Sequence, residues 1–204
     1  MDKRTLKGDT VIDISQVEAA LSVVLGSGPA GGPDADYRIV GTAAALMHGV
    51  QLPAGDIDVL LKTRAGVDAF SAVLSAWNCL SPPTYLEGSR QYFASYDIDG
   101  VEVEFSTVEG PNDSDTSECM GRGPWAHYSL VTCGSKQVPV VGLELRLLSE
   151  LARGRADRYV PIWEFMQLRE YDHDLVARGL RERGITDADQ LDLAQLPRAD
   201  HGGL

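Results

Sequence analysis

Asp56 and Asp58 stand one residue apart in the stretch Asp56-Ile57-Asp58-Val59-Leu60-Leu61. On a strand, side chains alternate faces, so the two carboxylates leave on one side while Ile57 and Val59 enter a core. Carboxylates this close repel each other, and the pair is tolerable when solvated or when a divalent cation sits between them. A second acidic face lies downstream. In Val101-Glu102-Val103-Glu104-Phe105-Ser106 the apolar residues face one way and Glu102 and Glu104 the other. Upstream, Gly41-Thr42 joins an apolar run, Tyr37 to Val40, to a small-residue helix, Ala43 to His48. Further on, Arg153, Arg155, Asp157 and Arg158 cluster at the end of an amphipathic segment, where a solvated helix end is the plain reading and a cation site the functional one.

The elements that must position these residues are legible in outline. Ser15 with Glu18 makes a capping-box pattern ahead of Val17, Ala20, Leu21, Val24 and Leu25, which share one helical face. Residues 26–35 form a Gly/Pro connector. They lack the Gly-Lys-Ser/Thr ending and the preceding strand of a phosphate-binding loop. After the Tyr37–Val40 strand, a turn with Gly49, Pro53 and Gly55 delivers the aspartates, and a helix from Ala65 to Trp77 returns the chain. Residues 81–90 read as a loop, Gln91 to Tyr96 as a strand, and Asp97 to Gly100 as a tight turn into the acidic strand. Residues 107–126 read as a polar loop, followed by a hairpin around Gly134-Ser135. From residue 142 onward the pattern is helical: one helix through Tyr159, a second around Trp163 to Leu168, a third from Leu175 to Leu180 with Gly184 as C-cap, and a short one near Thr186. The expected architecture is an α/β (α+β) unit over 10–141 and a helical subdomain over 142–196, with a ligand cleft between them.

Composition narrows the partners. The 204-residue chain carries a formal net charge of -12, which repels duplex nucleic acid and suits a cationic small molecule, while metal ions can still bridge carboxylates to phosphates. No apolar run spans a membrane and no signal-peptide core follows the basic start, so a cytoplasmic setting is expected. Cys79, Cys119 and Cys133 are odd in number and widely spaced, which points to reduced thiols, with Cys79 read as core. The four histidines show no ligand spacing. Trp125 and Tyr128 read as packing residues flanking the polar loop.

The order is Gly-Thr opening a helix, 13 residues, Asp-Ile-Asp on a strand, then a later acidic strand. Over about residues 37–106 it resembles the nucleotidyltransferase superfamily, and the helical half looks like that of its minimal bacterial members of the antibiotic-modifying and toxin types. The resemblance implies a nucleotidyltransferase-like mixed sheet with flanking helices. It implies an activity that moves a nucleoside monophosphate from an NTP to a hydroxyl on a small molecule, a protein or an RNA. Asp56, Asp58 and a third carboxylate, Glu104 with Glu102 as the alternative, would be the catalytic residues and hold two Mg²⁺ ions. Gly41 and Thr42 would bind the nucleotide's phosphates, a role the helix start suits because its N–H groups are unpaired and glycine admits a close approach.

Three positions depart from the family pattern. Thr42 stands where Ser is common, and Ala54-Gly55 precede the aspartates where Thr or Arg is frequent. Glu150 falls at the position of a phosphate-reaching Lys, and Arg153 or Arg155 could supply the nucleotide-binding cation in its place. That departure keeps two rivals open: a catalytically impaired module of the same fold that acts through a nucleotide or protein partner, and an acidic α/β domain whose carboxylates are merely solvated.

Overall fold

The computed structural model describes residues 11–26, 36–110 and 118–184. Seven strands form one mixed sheet: β1 (Tyr37–Val40), β2 (Ile57–Leu61), β3 (Asn78–Leu86), β4 (Gln91–Ile98), β5 (Val101–Ser106), β6 (Tyr128–Cys133) and β7 (Lys136–Val141). Their order across the sheet is β3-β4-β5-β2-β1-β7-β6. The sheet is α/β in class, with seven helices described around it: α1 (Ile14–Gly26), α2 (Gly41–Met47), α3 (Arg64–Val73), α4 (Gly123–Ala126), α5 (Leu143–Ala152), α6 (Ala156–Gln167) and α7 (His173–Glu182).

Register decides which residues share a face. β2 runs parallel to β5 with Asp58 opposite Glu104 and Leu60 opposite Ser106, and antiparallel to β1 with Val40 opposite Asp58. One face therefore carries Val40, Asp58, Glu104 and Ser106. The opposite face carries Tyr37, Ile57, Val59, Val103 and Phe105. On that second face Phe70 of α3 stacks on Phe105 at 5.0 Å between ring centroids and meets Tyr37 edge-on at 5.9 Å. The buried core thus closes behind the sheet and leaves the aspartate face for a site.

Several expected elements are displaced. The α1 cap lies two residues earlier than Ser15/Glu18: the Gln16 amide donates to Asp13 Oδ1 at 3.0 Å, and the Asp13 amide donates to Gln16 Oε1 at 3.0 Å. Ser15 donates to Asp13 instead. The buried stripe of Val17, Ala20, Leu21, Val24 and Leu25 is as read. α3 ends at Val73, short of Trp77, with the Thr63 hydroxyl accepting from the Gly66 amide at its start. Residues 81–86, expected as loop, belong to β3. Pro82 and Pro83 lack N–H donors, yet β3 is an edge strand where such donors have no partner to lose, and the register shifts around them. Cys79, on that edge, is exposed rather than core, and no disulfide joins the three cysteines. The β4–β5 turn is tighter than expected, with β4 running to Ile98 and Asp99 and Gly100 both at positive φ. The connector at 27–35, residues 111–117 of the polar loop and the short helix near Thr186 lie outside the described residues.

The helical segment expected through Tyr159 breaks in two at Gly154, which adopts φ +64. Below α5 a second apolar cluster joins Leu147, Leu148 and Leu151 to Ile162, Trp163 and Met166 of α6 and Val176 and Leu180 of α7. It also takes in Ala45 of α2 and Val50 and Leu52 of the segment leading to β2, which packs the helices against α2 and that segment. Among the described residues no helix is long and apolar enough to cross a membrane.

Candidate active site

A cavity of ≈ 390 Å³ opens on the aspartate face, lined among others by Gly41, Thr42, Asp56, Asp58, Glu118 and Arg146. Its remaining wall includes Gln91, Ser106 and Val108 on the sheet side and Arg153, Arg155 and Arg158 on the helical side. Residues from both sides of position 142 therefore meet in it.

Gly41 links strand to helix at φ +71, a left-handed conformation that glycine adopts without a steric penalty. A Cβ at this position would lie 1.8 Å from Asp58 Oδ2. The missing side chain is what lets Asp58 pack against the Gly41 backbone. Gly41→Ala is therefore expected to displace Asp58 and to destabilise the fold by ~2 kcal/mol or more, from backbone strain and the clash together. Urea denaturation measures it, and an unchanged midpoint would contradict this packing.

Asp58 carries the marked electrostatic signature of the site. Its carboxyl titrates at about 7, raised chiefly by burial and then by the nearby charges of Asp56 and Glu118; Arg146 and Arg153 oppose the shift. Glu118 is itself 2% exposed and ion-paired to Arg146, which is also 2% exposed. The Glu118 Oε2 atom accepts from the Gly41 amide at 3.2 Å. The Thr42 hydroxyl oxygen accepts from two arginines, Arg146 at 3.3 Å and Arg158.

Glu150 explains how the arginines are gathered. It is 0% exposed and pairs with Arg146 one helical turn earlier. Arg153 approaches its Oε1 at 3.6 Å, and Arg155 donates to that oxygen at 2.6 Å and reaches Oε2 at 2.5 Å. The Gly154 break turns the chain so that Arg155 folds back onto α5, its amide donating to the Glu150 carbonyl at 3.1 Å. Glu150 thus does not leave a gap where a cation was expected. It anchors three arginines at the cavity wall, and Arg158 adds a fourth from the first turn of α6. In a chain of net charge -12, the four guanidinium groups here match the carboxylates of Asp56, Asp58, Glu118 and Glu150 one for one. α2 has only seven residues, so its dipole adds little beside four guanidinium groups.

No protein-family model matches the chain, and no curated protein matches it. Among solved structures, a crystal structure from Thermotoga maritima, of a protein provisionally named a nucleotidyltransferase, superposes with a TM-score of 0.54 at 16% identity. The match covers 78% of this chain and 98% of that one. The chain has a nucleotidyltransferase-like fold. At this identity the similarity speaks for the fold alone.

Within this nucleotidyltransferase-like fold the expected residues fall unequally. Asp56, Asp58, Gly41, Thr42, Arg153 and Arg155 line one cavity. Glu104 does not. It lies beside Asp58 on the same face and two residues before Ser106, so two lining residues flank it. Glu102 is opposite Asp97, one step nearer the β4–β5 turn. Among the described residues no group of three acidic, His or Cys side chains is assembled as a metal site. The donor set still fits a divalent cation of the magnesium kind, which takes one or two carboxylates and completes its shell with water and substrate phosphates. The raised Asp58 carboxyl beside Asp56 is the observation that favours it, since a cation there would relieve the repulsion.

Three groups were not singled out from sequence: Arg146, Glu118 and the anchoring role of Glu150. Arg146 and Glu150 are four apart on a helix, a spacing that ordinarily marks a solvated surface pair. Glu118 sits in a stretch with no periodicity. In the structure it is buried and paired to Arg146. Trp125 and Tyr128 hold Arg38, whose guanidinium carbon stands 4.9 and 3.8 Å from their rings, so both are packing residues.

Proposed function

We propose that the protein transfers a nucleoside monophosphate from an NTP to a hydroxyl acceptor. The observation that carries this reading is one cavity lined by two adjacent aspartates and four arginines. Asp56 and Asp58 would hold Mg²⁺, which when bound neutralises phosphate charge and aligns the α-phosphorus for in-line attack. Arg146, Arg153, Arg155 and Arg158 bind the β- and γ-phosphates, and Gly41 gives them room at the backbone. Thr42, held by Arg146 and Arg158, orients that pair.

The arginines crowd the helical side, which leaves the side of Gln91, Ser106 and Val108 for the acceptor. Glu104, beside Asp58 on that side, is the group assigned to the acceptor's proton. Its place between Asp58 and Ser106 favours it over Glu102. The cavity's acidic floor suits an uncharged or cationic acceptor. The same fold acting as a nucleotide-binding module without transfer is favoured by a single observation, the absence of Glu104 from the cavity lining.

The test is incubation with Mg²⁺, each labelled NTP and a panel of hydroxyl acceptors. Label is expected to move to an acceptor with wild type and Asp56→Glu at unequal rates, and to fail in EDTA. Metal-dependent NTP binding without transfer to any acceptor would move the reading to the binding module. Absence of both would end it.

A further inference from the structure

Glu118 already does at this cavity what a substrate phosphate would do. One carboxylate oxygen pairs with Arg146, and the other accepts from the Gly41 amide at 3.2 Å. Its backbone is held too, since the Glu118 amide donates to the Ser149 hydroxyl at 3.3 Å. Ser149 is fully buried on α5 and its hydroxyl donates a hydrogen bond to the Leu145 carbonyl at 2.9 Å, so the anchor is part of the helix. The result is an anion of the chain's own, 2% exposed, lying against two of the groups assigned to phosphate binding.

We propose that Glu118 is a resident competitor that sets which anions the cavity accepts: it excludes singly charged anions and inorganic phosphate and yields only to polyphosphates. A tethered carboxylate competes at the high effective concentration of an intramolecular group, and any ligand for the same donors loses affinity by the fraction of time they are occupied. Inorganic phosphate offers little more charge than the carboxylate it must displace. A tripolyphosphate chain reaches Arg153, Arg155 and Arg158 as well, and those added contacts outweigh the lost pair. Arg146 keeps Glu150 when Glu118 leaves, so displacement does not strand a buried charge. The inference rests on the polyphosphate reading of the cavity and names a determinant of its specificity.

Titration calorimetry with inorganic phosphate and with sodium tripolyphosphate tests it on the full chain, as wild type, Glu118→Gln and Ser149→Ala. Ser149→Ala removes the hydroxyl that holds the Glu118 amide but keeps every charge, and thermal melts confirm that each variant is folded. The expected result is no phosphate binding to wild type, with tripolyphosphate affinity at least ~10-fold higher in Glu118→Gln and raised to a lesser degree in Ser149→Ala. Tripolyphosphate binding that is equal or weaker in both variants overturns the proposal, as does phosphate binding to wild type as tightly as tripolyphosphate. Nucleotidyl transfer is read separately. A displacement pattern without transfer leaves this inference standing and removes the proposed reaction, whereas transfer with unchanged anion affinities removes this inference alone.

Discussion

Asp58→Asn is expected to stabilise the metal-free protein above neutral pH while reducing nucleotidyl transfer by ~100-fold or more. The Asp58 carboxyl titrates at about 7 in the folded chain against 3.8 for an ordinary aspartate. Between those values the folded state keeps a proton that the unfolded state has released. Stability therefore falls as pH rises from about 4 to about 7, and above 7 the whole cost of a buried, repelled carboxylate is present. That cost is roughly 4 kcal/mol at most, because each pKa unit corresponds to about 1.4 kcal/mol. Asparagine has the same shape without the charge, so it escapes the cost. In EDTA at about pH 8 the variant should melt several degrees above wild type, and below about pH 4 the two should coincide. Added Mg²⁺ should raise the wild-type midpoint and leave the variant nearly unmoved. A variant less stable than wild type at pH 8 would mean that the Asp58 charge is already compensated by Arg146 and Arg153, and the case for a cation at Asp56 and Asp58 would weaken with it.

That residue also shows what the sequence could carry. Period-two alternation over Ile57-Asp58-Val59 and Val101-Glu102-Val103-Glu104-Phe105 fixed two strands and their core faces, because alternation is a local property. The buried stripe of α1 was readable for the same reason, as was the β6–β7 hairpin around Gly134. Position in the sheet is not local. Nothing in Ser81-Pro82-Pro83 says that its strand lies on an edge, where missing N–H donors do no harm, and so it reads as a loop. Glu104 was chosen for its apolar flanks, and those flanks establish the strand and the face but not the direction its side chain takes toward the cavity. Arg146 and Glu150 were opaque for a related reason. An Arg–Glu pair four apart on a helix looks the same in sequence whether it faces solvent or is sealed in by Thr42, Glu118 and the Arg155 return. The break at Gly154, with φ +64, is what returns Arg155 to Glu150, and glycine there is compatible with several conformations.

Glu150 carries the second large effect. A lysine at this position, as the family resemblance led one to expect, would put a further cation among Arg146, Arg153 and Arg155, with only Glu118 and Asp58 left as nearby acids. Glu150→Lys is therefore expected to yield no stably folded protein, where a surface helix would accept the exchange at little cost. Glu150→Gln is the finer probe. It keeps an oxygen for hydrogen bonds but removes the charge that three arginines share, and the loss of one partner from a buried ion pair costs about 3–5 kcal/mol. Arg146 is held in part by Glu118, and the side chains of Arg153 and Arg155 are 31% and 40% exposed, so the effect should sit near the lower bound. A polyphosphate supplies the missing negative charge. Tripolyphosphate is accordingly expected to raise the thermal midpoint of Glu150→Gln by more degrees than that of wild type, although the variant starts lower. Were Glu150 merely a helix residue that happens to be buried, tripolyphosphate would stabilise both proteins equally. A Glu150→Lys variant that folded normally and bound nucleotide more tightly would show instead that the arginines need no anchor, and the cavity's cationic wall would have to be explained without Glu150.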